Sequence, residues 1–286
     1  MSLERRITRR AACGALGFAG LGRGAGAKTA TAFALIGDEP HNSAYIRTGL
    51  TRTLVEGAGV SIDFTDQEKL LSYEMLRQYK IFILFRDGYR WPNGRWRPVL
   101  ANDKTMITEQ KDLVSVPPLP MKIGVGPVAW MTSEQGKAIR QWVLEGGSFF
   151  AYHNSSHVSL TNKDYRDVEG AVYTGHPVIR PFKVKIVNPD HPITKGVRDF
   201  VVTDEQHYMT YDKDAKYVLA RSVNEDGLDY TDMAGRRSNT AEAAWAYDYG
   251  KGRVCFLAPG HMITVLWNPE YEKMQKNAAR WLLRET

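Results

Sequence analysis

Ser148-Phe149-Phe150-Ala151-Tyr152 is an uninterrupted apolar and aromatic run, and His153-Asn154-Ser155-Ser156-His157 follows it without a spacer. Upstream, Glu145-Gly146-Gly147 reads as a helix stop, because glycine takes the left-handed conformation after a helix without steric penalty. A run of this kind suits a strand buried on both faces, as in a parallel sheet covered by helices. In open α/β sheets, ligands bind beyond the carboxyl ends of the strands. Two histidines, an amide and two hydroxyls at such an end are the strongest functional signal in the chain.

The pattern around this run supports the same architecture. Thr31 to Ile36 reads as the first strand, and Asn42 or Ser43 as the cap of a helix through Tyr45 and Leu50 to Val55. Val60 to Phe64 reads as a strand, Leu70 to Tyr79 as a short helix and Ile81 to Phe85 as a buried strand. This βαβαβ order predicts a parallel sheet between helices. Thr132 or Ser133 caps a helix from Glu134 to Leu144 with Ile139, Trp142 and Val143 on its apolar face.

Farther on, Phe182 to Val187 alternates as a strand with one face to solvent, and Phe200 to Thr203 leads into Asp204-Glu205-Gln206-His207. Tyr217 to Ala220 is a strand, and the polar residues 224–241 read as an exposed loop. Ala243 to Tyr247 and Arg253 to Leu257, joined through Gly250-Lys251-Gly252, carry a hairpin signal. A final helix runs from Pro269 to Leu283.

Residues 86–128 interrupt the pattern with a long insertion. Arg86 to Pro98 alternates cations and aromatics, and Val116-Pro117-Pro118-Leu119-Pro120 excludes ordinary helix or central strand. Trp91 and its arginine and tyrosine neighbours suit stacking on a sugar. The same composition serves single-stranded nucleic acid, or a flap packed on its own domain.

The first 30 residues form a separate unit. Arg5-Arg6 and Arg9-Arg10 precede a weakly apolar Ala/Gly-rich stretch that ends Gly24-Ala25-Gly26-Ala27. That order describes an export signal, of the twin-arginine type by its paired arginines and leucine-poor middle. The expectation is an exported, periplasmic or extracytoplasmic protein with one α/β domain over residues 31–286. A basic, unstructured tail is the other reading. Residues 1–27 carry five arginines against one glutamate, so without them the formal charge falls from +6 to +2. The basic balance therefore belongs to the leader and argues against a nucleic-acid partner. No apolar run reaches the roughly 18 residues of a membrane span. Cys255 is the one cysteine beyond the leader, and its strand context makes it a buried, inert thiol.

Five of the seven histidines fall at predicted strand ends or turns: His41, His153, His176, His207 and His261. Strand ends of one parallel sheet converge on one edge, so His41, His153 and His261 can share a cleft, joined by Asp204, Glu205 and His207 if their loop folds over it. Histidine with carboxylate suits a divalent metal such as zinc, manganese or iron, with His41, His153 and His261 as the candidate ligands. No HExxH-like spacing is present, and hydrogen bonding of the rings to turns is the competing reading. His191, in Asp190-His191-Pro192, is the clearest structural histidine, and His157 stands between the two cases.

Taken together, Gly146 to Asn154 (GGSFFAYHN), Gly175-His176-Pro177, Asp190 to Val197 (DHPITKGV), Asp204 to Tyr208 (DEQHY) and Trp245 to His261 (WAYDYGKGRVCFLAPGH), followed by a tryptophan-containing helix, resemble the ThuA-like family. That family is named for trehalose utilisation. The resemblance runs from about Phe33 to the C-terminus, although residues 86–128 look longer than the family's usual connection. It implies a flavodoxin-like, mostly parallel sheet with helices on both faces, similar to class I glutamine amidotransferases, with an added antiparallel and loop region. In those enzymes a cysteine nucleophile occupies the turn after the central strand. Tyr152-His153-Asn154 stands there in this chain, which excludes amidotransferase chemistry.

The resemblance further implies a small carbohydrate as partner and cleavage or isomerisation of glycosides oxidised at the 3-position. Proton abstraction beside the ketone requires a base near operating pH. His153 or Glu205 is the candidate base, with His261 or His207 as the acid or electrophilic partner. His41, Asn154, Asp204, His176 and Trp91 are the candidate sugar contacts. An ordinary glycosidase needs two carboxyls flanking the bond. Asp204 and Glu205 are adjacent, and neighbouring strand residues point to opposite faces. A carbohydrate-binding protein without turnover is the alternative class.

Overall fold

A computed structural model describes residues 30–90 and 127–286. Residues 1–29 of the expected export signal, Trp91 and the rest of the insertion up to residue 126 lie outside the described residues.

The strands of the main sheet are β1 (Ala32–Ile36), β2 (Ile62–Thr65), β3 (Ile81–Phe85), β4 (Ser148–Tyr152), β5 (Arg180–Ile186), β6 (Phe200–Asp204), β7 (Val218–Val223), β8 (Thr240–Tyr249) and β9 (Gly252–Leu257). They lie in the order β2-β1-β3-β4-β9-β8-β7-β5-β6. The first five are mutually parallel. Their order, with β9 as the fifth, is that of flavodoxin-like sheets. The remaining four are antiparallel and continue the same sheet. The antiparallel region is therefore an extension of the main sheet, which is mixed; only its first five strands are parallel.

The burial pattern follows the sequence. Every residue of β1, β3 and β4 is buried, consistent with helices covering both faces. Each such aliphatic or aromatic side chain contributes about 1.5–3 kcal/mol relative to an exposed position. In β6, Phe200, Val202 and Asp204 are buried while Val201 and Thr203 face solvent. That alternation of period two marks a strand with one open face.

The helices are α1 (Ser43–Leu50), α2 (Tyr73–Leu76), α3 (Ser133–Leu144), α4 (Lys163–Glu169), α5 (Ile263–Leu266) and α6 (Pro269–Leu282). They pack in two groups, α1 with α5 and α6, and α2 with α3 and α4. Thr132 begins α3 with a capping box. Its Oγ1 accepts from the Gln135 amide at 3.2 Å, and the Gln135 Oε1 accepts from the Thr132 amide at 2.9 Å. Such a cap stabilises a helix by about 1 kcal/mol.

Three local expectations change. The first helix ends at Leu50 and continues to Glu56 as a π-helical turn. The helix expected over residues 70–79 is only the single turn α2. Residues 224–241 include a short ribbon, Tyr230–Thr231 against Arg237–Ser238, rather than being loop throughout. The described ends of the insertion also pair, Tyr89–Arg90 against Val128–Ala129.

Candidate functional site

The carboxyl ends of β1, β3, β4 and β9 are neighbours in the sheet, and the segment after β6 reaches them through Asp204, which bonds the loop after β9. After β1, Gly37 takes a φ of +83°, and an added Cβ there would stand 2.5 Å from the Ser43 Cβ. This tight turn delivers Asp38 and His41. Asp38 accepts from the His41 Nδ1–H at 2.8 Å, from the backbone N–H groups of His41 and Asp87 at 2.9 and 2.7 Å, and from the Asn154 amide at 2.6 Å. Burial opposes its charge, but the His41 ring and the backbone N–H groups of Asp87 and His41 together outweigh burial and hold the carboxyl below its ordinary range. Burial lowers the His41 pKa in spite of Asp38.

His153 follows β4 with a φ of +45°, in the left-handed region that a residue with a Cβ rarely adopts. Backbone strain of this kind persists where the surrounding structure fixes it and is a pointer to function. The ring is fully buried, and its Nδ1–H donates to the Ala258 carbonyl at 2.8 Å. Because a carbonyl only accepts, Nδ1 carries the proton, and the Nε2 of the neutral ring presents a lone pair. His176 is fixed the same way, its Nδ1–H donating to the Pro177 carbonyl at 2.8 Å.

Glu205 lies at the centre. Its Oε2 is 3.2 Å from His261 Nδ1, 3.5 Å from both His153 Nε2 and His207 Nε2, and 3.6 Å from His176 Nε2. Most of these separations are ion-pair distances longer than good hydrogen bonds. Burial opposes ionisation of Glu205, but His153, His207 and His261 outweigh it and hold the carboxyl far below its usual range. Burial also disfavours a charged His153, yet Glu205 and Asp204 reverse the balance and raise its pKa. His207 and His176 go the other way: burial, with neighbouring rings adding to it, holds both below the ordinary imidazole value.

Exposure separates front from back. The side chains of His176, His261 and Glu205 retain 21%, 20% and 14% of their surface, whereas His153 and His207 retain 0% and 2%. Asp204 and Asn154, expected as sugar contacts, are turned beneath the site. Asp204 accepts from the backbone N–H groups of Gly260 and His261 at 2.6 and 3.1 Å, and Asn154 donates to Asp38. The two residues position the loops that carry the cluster. The His157 Nδ1–H donates to Asp87 at 2.9 Å, and the ring packs edge-on against Tyr173 at 3.8 Å. His191 stands apart, accepting from the Ile193 N–H at 3.2 Å beside Trp281, as a structural histidine should. Cys255 is fully buried in β9, and burial pushes its thiol pKa up.

Asp38 and Asp87 were not singled out from sequence. Asp38 could have been found from its place three residues before His41 in a turn after a buried strand, a spacing that lets a carboxylate reach the ring. Asp87 carries no such signal, since its partner His157 is 70 residues away.

The profile of the family described as "Trehalose utilisation", ThuA, matches residues 118–282, more than half of the chain. That span contains His153, His176, Glu205, His207 and His261, while Asp38 and His41 precede it. A ThuA-like protein of Parabacteroides merdae aligns with a TM-score of 0.62 at 14% identity, over 91% of each chain. A ThuA-like protein of Bacteroides uniformis aligns with a TM-score of 0.58 at 17% identity, over 88% of this chain and 90% of its own. A cytoplasmic protein of Salmonella typhimurium aligns at 0.51 and 12% identity, over 88% and 98%. None of the curated proteins matches. At these identities the solved structures establish the fold; with the profile match, the chain belongs to the ThuA family.

Proposed function

We propose that the protein is an exported enzyme that acts on glycosides or disaccharides oxidised at the 3-position, starting with proton removal beside the ketone. The family's description supports a carbohydrate substrate. The observation that carries a catalytic role is the partly exposed Glu205 at the sheet edge, flanked by two partly exposed histidines, His176 and His261.

Sequence reasoning offered His153 or Glu205 as the base. His153 has no exposed surface, and a carboxyl held as low as Glu205 is a weak proton acceptor. His176 fits the role better. Burial keeps it neutral at neutral pH, and its Nδ1–H bond to Pro177 leaves Nε2 as the lone pair. In this reading Nε2 takes the proton from the carbon between the ketone and the anomeric centre. The electron pair forms a carbon–carbon double bond as the anomeric C–O bond breaks. The departing oxygen receives the proton back from the His176 imidazolium, and water then adds to the unsaturated ketone.

The test is turnover of a 3-keto-disaccharide beside its unoxidised parent. Turnover confined to the keto form, falling about 10²–10⁴-fold in His176→Ala with binding retained, is expected. Binding of both sugars with turnover of neither would replace this reading with a non-catalytic carbohydrate-binding protein.

A further inference from the structure

We propose that His41, His153, His261 and Glu205 bind one divalent transition-metal ion, of the class that accepts nitrogen and oxygen ligands together. The inference stands independently of the sugar chemistry.

The first ground is a conflict of acceptors. The Nδ1–H of His41 is committed to Asp38 and that of His153 to Ala258, so both neutral rings turn an Nε2 lone pair inward. His41 Nε2 meets His261 Nδ1 at 3.1 Å, and His153 Nε2 meets the Glu205 oxygen at 3.5 Å. His153 Nε2 is fully buried and has no hydrogen-bond partner among the described residues. Two inward lone pairs and a carboxylate oxygen converging with the His261 ring make a set of donors that suits a cation. A proton shared between His153 and Glu205 would draw them to about 2.7–2.9 Å, and they stand farther apart.

The second ground is spacing. Metal–ligand bonds of about 2.0–2.1 Å set neighbouring ligand atoms about 3.0–3.4 Å apart. The separations of 3.1 and 3.2 Å around His41, His261 and Glu205 match such edges, His153 stands 3.5 Å from Glu205, and the four ligand atoms all lie within 4.8 Å of one another. The rings are also set steeply to one another rather than stacked: His41 stands at 77° to both His153 and His261, and His153 at 67° to His261.

The third ground is the support behind the ligands. Ligating histidines commonly donate their second ring N–H to a carboxylate or a backbone carbonyl. Asp38 and Ala258 fill those places, and Asp204 fixes the His261 backbone. A second trio, His176, Glu205 and His207, has this support only at His176, whose Nδ1–H donates to Pro177. Its two rings are stacked at 17°, so their lone pairs run side by side, and His207 Nδ1 has no partner among the described residues. Three imidazoles with one carboxylate suit zinc, iron(II), manganese(II) or cobalt(II).

The experiment is elemental analysis of untagged protein, dialysed after loading with each metal, together with the visible spectrum of the cobalt(II) form. About one equivalent per chain is expected, with a cobalt spectrum of mixed nitrogen and oxygen coordination. His41→Ala and Glu205→Ala should each lower occupancy at least 10-fold, and Asp38→Asn should weaken affinity about 10–100-fold. His176→Ala should retain the metal. Less than a tenth of an equivalent of every metal, with no cobalt spectrum, would overturn the proposal. Full retention in folded His41→Ala and Glu205→Ala, or loss in His176→Ala equal to theirs, would do the same. If a variant fails to fold, the wild-type cobalt spectrum decides. A bound metal without sugar turnover would sink the sugar reading and leave the metal site standing.

Discussion

Asp204 grips the backbone of Gly260, accepting its N–H at 2.6 Å from a fully buried position. The same carboxylate takes the N–H of His261, so one side chain from β6 sets the direction of the loop after β9. Burial raises the Asp204 pKa against the pull of His153 and the Gly260 amide. Asp204→Ala would leave two backbone donors short of an acceptor, at about 1–3 kcal/mol for an unsatisfied buried group. The expected outcome is that loss in denaturant unfolding, together with loss of sugar turnover. Unchanged turnover would show that the loop needs no anchor.

Gly260 leaves no room for a side chain. An added Cβ would lie 2.7 Å from the Phe85 ring and 2.8 Å from the His153 Cβ. Gly260→Ala must therefore push on the strained residue that bears the buried imidazole. Overpacking of this kind costs about 1–3 kcal/mol. We expect a lower melting temperature and impaired function, whereas Gly196→Ala and Gly227→Ala, which meet nothing nearby, should suffer only from their positive φ.

Glu169 predicts a pH dependence. It is fully buried, accepts from the Ser159 hydroxyl at 2.6 Å, and burial raises its pKa from 4.5 to about 8. Below pH 4.5 folded and unfolded chains both hold the proton, so no difference arises. Between 4.5 and about 8 the unfolded chain releases it while the folded chain keeps it. Stability then falls as pH rises, by up to about 1.4 kcal/mol per unit from this group, and levels off above that window. Glu169→Gln should remove that contribution. Urea unfolding from pH 4.5 to pH 8 should show the variant gaining on the wild type, and parallel curves would contradict the assignment.

His191 provides the contrast to the cluster. Its ring accepts the Ile193 N–H and packs on Trp281, far in role from the sheet edge. His191→Ala should lose about 1 kcal/mol of stability, the value of one hydrogen bond and some packing. Turnover and metal content should stay at wild-type levels, and a fall in either would join this turn to the site.

Three of the five parallel strands are legible because full burial removes the need for alternation: β1, β3 and β4 are continuous apolar runs, whereas the parallel pairing of β9 with β4 is not visible in its hairpin signal. His41, His153 and His261 were legible as strand-end residues, since parallel strand ends share an edge. The opposite-face rule at Asp204 and Glu205 also carried through, one turned beneath the loops and the other into the cluster. It does not say which faces which way, and Asp204, expected as a sugar contact, bonds the Gly260 and His261 backbone instead. The π-helical turn after Leu50 and the shortness of α2 were not legible, because tertiary packing sets where a short helix stops. The roles of Asp38 and Asp87 depend on β1 and β3 lying side by side, and periodicity within one segment carries no information about strand order.

His41 and His261 touch across 220 residues of chain. The cluster thus closes like a clasp between the first loop after β1 and the loop after the last strand. A chain lacking either end has no complete cluster to offer, so occupancy reports that folding has finished. Anything bound there adds its binding energy to the whole fold, about 2.7 kcal/mol at a hundredfold excess over its Kd.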